Sequence, residues 1–181
     1  MKLTHITATI ALSLFTAAAV SAAPQVYLNK NLGFNVPGYN YKQSEFPCDI
    51  DSTLVESLVK RSKAAGIQME AVSTADKIQN GVIPVLAIDI EQLVLNEKFR
   101  FGSTSTSNLP RVQVTAALIA KNLENGFVTA KHSCAIATLN EFTPSSEILD
   151  MGTTATVCSA TRKCLDDLSK DIVQWTASQV K

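Results

Sequence analysis

"RVQVTAALIAKNLENGFVTAKHSCAIATL", residues 111–139, alternates apolar and polar residues on either side of an Asn-Gly pair. That is the pattern of an antiparallel hairpin with one buried face. Two loop lengths compete. A two-residue turn at Asn125-Gly126 sets Val114 opposite Ala137 and puts Leu118 on a face with Lys131. A three-residue loop, Glu124 to Gly126, pairs Leu123 with Phe127. It sets Val114 opposite Ile136, Ala116 opposite Cys134 and Leu118 opposite His132. The second register keeps apolar side chains together, and Gly126 supplies the left-handed residue such a loop needs, so this is the register expected. Cys134 and His132 then fall on the buried face. Gln113, Thr115, Lys131 and Ser133 fall on a small, polar face that one side of the sheet presents to water.

Upstream, "VIPVLAIDIEQLVLN" (82–96) is rich in β-branched residues. Leu86, Ile88 and Ile90 share one face; Ala87, Asp89 and Glu91 share the other. After Gln92 the apolar phase moves to Leu93 and Leu95, which predicts a bulge. Pro84 belongs at the start of this strand or on an edge.

Further upstream, "CDIDSTLVESLVKRSKAAG" (48–66) predicts a helix. Asp51 or Ser52 can cap it, Leu54, Leu58 and Ala65 with Val55 and Val59 form its apolar stripe, and Gly66 ends it. Lys60, Arg61 and Lys63 sit where the helix dipole favours cations. Val26 and Leu28 open a strand before this helix, followed by an irregular arm with a turn at Pro37-Gly38. After the helix, "IQMEAV" (67–72) reads as a strand and "TADKIQN" (74–80) as one helical turn.

Downstream, "NEFTPSSEILDMG" (140–152) reads as a loop. A closing helix then buries Leu165, Leu168, Ile172 and Trp175 and turns Asp166, Asp167, Lys170 and Asp171 to water. The order strand, helix, strand, three antiparallel strands, helix is α+β: a mainly antiparallel sheet with two helices packed on one face.

Residues 1–22, "MKLTHITATIALSLFTAAAVSA", read as a cleaved secretory signal. Lys2 gives the positive start, Ile10–Val20 the short apolar core, and Val20 and Ala22 the small residues of the cleavage site. Residues 23–47 form the N-terminal strand and arm, and 48–181 a single α+β domain. No cysteine stands at the cleavage point to take a lipid anchor, and no second apolar stretch is long enough to span a bilayer. Sixteen basic residues balance sixteen acidic ones. Such neutrality gives no electrostatic footprint for nucleic acid or anionic lipid.

The four cysteines, Cys48, Cys134, Cys158 and Cys164, predict two disulfides in an exported chain. Six residues of continuous helix would separate Cys158 from Cys164 by about 9 Å, beyond the roughly 7 Å a disulfide bridges. Local pairing therefore requires the helix to start after Cys158, with Ser159 as its cap. The weak helix formers Thr153, Thr154, Thr156 and Val157 favour that start. The expectation is Cys158 with Cys164 and Cys48 with Cys134. The rival is a helix from about residue 154, which forces cross-pairing.

No G-x-S-x-G, Walker loop, H-E-x-x-H or G-x-G-x-x-G occurs, so neither a catalytic site nor a cofactor or metal is expected. His132 is the only histidine after the signal and has no acid nearby in sequence. Asp89 and Glu91 share one strand face, whereas glycosidase carboxylates face each other across a cleft. Phe99, Arg100 and Phe101, beside the Ser/Thr-rich loop "GSTSTSNLP" (102–110), form an aromatic–Arg–aromatic cluster at a hairpin tip. These three are the expected partner contacts.

The element order, with stretches such as "IPVLAIDIEQLVL" and "CLDDLSKDIVQW", resembles small accessory proteins of the Gram-negative envelope. These are the ABC-transport auxiliary lipoproteins and relatives such as penicillin-binding-protein activators. The resemblance spans most of residues 48–176. It implies protein–protein contact rather than catalysis, in transport or envelope assembly, and a periplasmic address with the extracellular medium second. The missing lipid-anchor cysteine departs from that pattern. A secreted effector or inhibitor is the alternative, and a small hydrolase with an unrecognised site a further one.

Overall fold

The computed structural model describes residues 22–36, 47–73, 82–95, 100–103, 107, 109–137 and 154–180. The signal, the arm around Pro37-Gly38, the turn at 74–80 and the loop at 140–152 lie outside the described residues. Among the described residues, seven strands and two long helices make up the domain. They are β1 (Gln25–Asn29), β2 (Gly33–Phe34), α1 (Ile50–Ser62), β3 (Gln68–Val72), β4 (Val85–Val94), β5 (Arg100–Phe101), β6 (Arg111–Ile119), β7 (Phe127–Ala135) and α2 (Thr154–Gln179).

The main strand order is β3-β1-β4-β6-β7, with β2 and β5 paired to the far part of β4. The sheet is mixed. β4–β6, β6–β7 and β4–β5 are antiparallel, whereas β1 runs parallel to both β3 and β4, and β2 parallel to β4. A mainly antiparallel sheet is thus only part of the answer. α1 accounts for the β1–β3 pair: a strand, a helix and a second strand in succession return the chain in the same direction, and β1–α1–β3 does this.

Glu91 is the bulged residue of β4. Ile90 pairs with Val114 and Gln92 with Gln113, so the register shifts where the apolar phase of the sequence shifts. Leu86, Ile88, Ile90, Leu93 and Leu95 are consequently all buried.

The β6–β7 register differs from expectation. Val114 faces His132, Ala116 faces Ala130 and Val112 faces Cys134. The loop is longer because it contains two consecutive turns. Leu123 N–H donates to the Ala120 carbonyl (3.2 Å), and Gly126 N–H donates to the Leu123 carbonyl (2.9 Å). Gly126 takes the left-handed conformation, φ 75°. The offset is an even number of residues, so each side chain keeps the face its alternation assigns.

α1 begins at Ile50, ahead of the expected caps. Cys48 and Asp49 both have positive φ (61° and 52°), and Ser52 Oγ donates to the Asp49 carbonyl (3.1 Å) instead of capping an amide. At the other end α1 tightens into a 3-10 turn, Lys63–Ala65, which Gly66, φ 75°, closes.

α2 is a single helix from Thr154, and this overturns the local disulfide. Cys158 and Cys164 lie on it together, too far apart to join. Each reaches outward: Cys158 to Cys48 (Cα–Cα 5.1 Å) and Cys164 to Cys134 (Cα–Cα 5.4 Å). Val157 and Ala160 are buried, so packing outweighs the weak helix propensity of this first stretch.

α1 and α2 pack together against one face of the sheet. Leu54 and Leu58 meet a core that includes Leu165, Leu168 and Ile172. Buried hydroxyls on α2 are satisfied within the helix: Thr161, Ser169 and Thr176 each donate to the carbonyl four residues back, at 2.6–2.8 Å. Across the outer seam, Arg61 Nε donates to Asp166 Oδ1 at 2.8 Å, and its terminal nitrogen engages Oδ2. That guanidinium holds the Asp166 carboxyl below its usual range.

Candidate functional site

Among the described residues no helix covers the second face of the β4–β6–β7 sheet, and the bulge turns Glu91 onto it. Its Oε1 accepts from Thr115 Oγ1. Its Oε2 accepts from Lys131 Nζ (2.9 Å) and from Gln113 Nε2 (3.3 Å). The four residues lie on three adjacent strands, because Gln113 and Thr115 flank the bulge on β6 and Thr115 faces Lys131 on β7.

The Thr115 hydrogen bond, then the one from Lys131, holds the Glu91 carboxyl below its usual range. A carboxylate stabilised in this way is an acceptor and carries no proton to donate. The Lys131 side chain is two-thirds exposed and presents its ammonium to solvent. Asp89 is exposed on the same face, its side chain lying over Gly33 where any Cβ would collide with it. The face is a fixed pattern of charge and hydrogen-bonding groups, suited to recognition.

His132 lies on the opposite, core-facing side, as alternation placed it. Its ring meets Trp175 of α2 edge to face, 5.6 Å between centroids. Nε2 is enclosed and has no hydrogen-bond partner among the described residues. Burial pushes its pKa down, against a smaller upward pull from Asp171. Burial thus favours its neutral form, and it packs between the edge strand and α2.

The expected contact cluster divides. Phe101 is buried, its ring packed edge to face on Phe34 at 5.8 Å, which corrects its assignment to an exposed tip. The reason is β5: Phe101 pairs with Leu93 next to the core, and Gly102 follows at φ 67°. Arg100, paired with Val94, is half-exposed. Phe99 lies outside the described residues.

Among the described residues no group of three His, Cys, Asp or Glu converges to hold a metal ion. Among them, too, no helix is long and apolar enough to cross a membrane. The Glu91 network was half legible. Alternation put Glu91 with Asp89 on one face of its strand and Gln113, Thr115 and Lys131 together on the polar face of the hairpin, but the β4–β6 pairing that joins the two faces leaves no sign in either pattern.

No family model matches the chain, and no curated protein proves similar to it. Among solved structures it is similar to a Xanthomonas campestris protein described by the family model DUF330. The identity is 17%, the TM-score 0.48, and 94% of each chain is covered. It is also similar to the PelC dodecamer of Paraburkholderia phytofirmans, at 17% identity and TM-score 0.42, over 84% of this chain and 90% of that one. A minor lipoprotein of Acinetobacter baumannii aligns at 12% identity and TM-score 0.41, over 87% of this chain and 94% of that one.

Proposed function

We propose that the chain is an exported, non-enzymatic binding protein of the cell envelope, with a role accessory to transport or envelope assembly. The polar face around Glu91 is the surface that meets its protein partner. The pair of disulfides carries the reading, since such bonds persist in oxidising compartments. The secretory signal pattern of residues 1–22 points the same way.

The chemistry of the polar groups supports recognition over catalysis. Glu91 is ionised and occupied by three donors, and His132 is enclosed against Trp175. The periplasm of a Gram-negative cell fits this combination.

Fractionation of the source cells, with thiols trapped at lysis, tests the address. The processed chain should appear outside the cytoplasm with no free thiol; a full-length, reduced chain in the cytoplasm refutes export. Crosslinking in intact envelopes, with Lys131→Glu beside the parent, tests the surface. The variant places two carboxylates together and should lose the parent's specific adducts by tenfold or more. Equal adduct yields from a folded variant would move the site elsewhere.

A further inference from the structure

One end of the sheet differs from the rest of the surface. The exposed large apolar side chains among the described residues are Val82, Ile119 and Phe127, at 81%, 47% and 55% exposure. They gather in one place. Ile119 pairs with Phe127 on one side and Val85 on the other, and Val82 leads into β4. Tyr27, Val85, Ile119 and Phe127 stand in register across β1, β4, β6 and β7. The row is buried at Tyr27 and Val85 and open at Ile119 and Phe127.

At the same end of the sheet lies a cleft of about 280 Å³, lined mainly by apolar residues that include Pro24, Val82, Leu123 and Val180. An exposed cluster of this kind marks a contact with protein or membrane.

The path of the chain selects the occupant. The domain begins here: Pro24 lines the cleft, and its carbonyl accepts from Gln68 N–H at 2.8 Å. Pro24 stands four residues after Val20, the last residue of the apolar stretch Ile10–Val20. Four extended residues reach at most about 14 Å. On the export reading, a signal still attached and seated in a bilayer would keep this end of the domain within that reach of the lipid surface. The adjoining β6–β7 loop exposes one cation, Lys121, that a lipid phosphate could meet, and one anion, Glu124.

The geometry points to a lipid-contact site. The end bearing Val82, Ile119 and Phe127 seats on an anionic bilayer, with these side chains at the boundary of headgroups and acyl chains and Lys121 among the phosphates. The contact persists reversibly after cleavage. It rests on the export reading for its biological setting, but vesicles test it directly, so failure here leaves the fractionation result standing.

The experiment is flotation of the oxidised chain 23–181 with vesicles of phosphatidylethanolamine and phosphatidylglycerol, beside phosphatidylcholine alone. The parent should float with the anionic vesicles. Val82→Ser with Ile119→Ser and Phe127→Ser should reduce its partitioning at least fivefold, and Lys121→Gln should lessen the preference for the anionic lipid. If Ile119→Ser disturbs the near-ultraviolet dichroism, the Val82→Ser, Phe127→Ser pair carries the test. A parent that stays with the soluble fraction overturns the proposal. So does a folded variant that floats equally well. Concentration-dependent dimerisation of a non-floating parent, abolished in the variant, also overturns it and assigns the patch to a second copy.

Discussion

A Cβ at position 102 would collide with the carbonyl oxygen of Glu91 and crowd the Cα of Gln92, so Gly102 lets the chain after β5 close against the bulge of β4. Gly102 also sits at φ 67°, where side chains are strained. A methyl at Gly126, where φ is 75°, would meet nothing within 4 Å, so that position shares only the strain. Gly126→Ala should therefore cost about 1–2 kcal/mol, and Gly102→Ala distinctly more. Urea unfolding of both variants checks the order; equal midpoints would remove the collision from the account.

Peptide mapping without reduction should recover Cys48 linked to Cys158 and Cys134 linked to Cys164. A fragment joining Cys158 to Cys164 would contradict the continuous α2. The spans are 110 and 30 residues. Chain entropy makes them worth about 4–5 and about 3–4 kcal/mol. Replacing Cys48 and Cys158 together by Ser should lower the melting temperature more than replacing Cys134 and Cys164.

Phe101→Ala should cost about 3 kcal/mol, because it empties a buried aromatic site against Phe34. Arg100→Ala, at a half-exposed position, should cost less than about 1 kcal/mol. Urea midpoints decide between them. A Phe101→Ala protein as stable as the parent would return that ring to the surface.

His132 makes stability depend on pH. Burial holds its pKa below the ordinary 6.5, so the unfolded chain takes up the proton first. Its contribution is full above 6.5 and is lost as pH falls through that value toward the folded pKa. Parent and His132→Leu should therefore diverge in their pH profiles between about 7.5 and 5.5, the parent falling more steeply. Parallel profiles would show that the imidazole is not desolvated. At lower pH the depressed carboxyls of Glu91 and Asp166 add a second loss, again as pH falls.

Alternation made the faces of the sheet legible, but not their pairing. Parity decides that Cys134 and His132 point to the core, and every register that preserves parity satisfies it. The offset was set by Ala120, Leu123 and Gly126, whose backbone bonds leave no trace in the apolar pattern. The start of α2 was hidden for another reason. Its first residues are poor helix formers, and what stabilises them, the burial of Val157 and Ala160 and the bond from Cys158 to Cys48, comes from distant parts of the chain. A two-residue strand carries no period, so Phe101 could not be distinguished from an exposed ring. The bulge at Glu91 was legible because a phase change within a strand has few other causes.

The two disulfides interleave along the chain: Cys48, Cys134, Cys158, Cys164, joined first to third and second to fourth. A polypeptide threaded N-terminus first into an oxidising space exposes Cys48 and Cys134 before either native mate has emerged. The first bond open to an oxidant is the wrong one. If Cys48 and Cys134 join at that stage, the native pairs form only after thiol exchange undoes that bond, which is slow without an isomerase. The yield of correctly joined protein should follow the supply of isomerase rather than of oxidant.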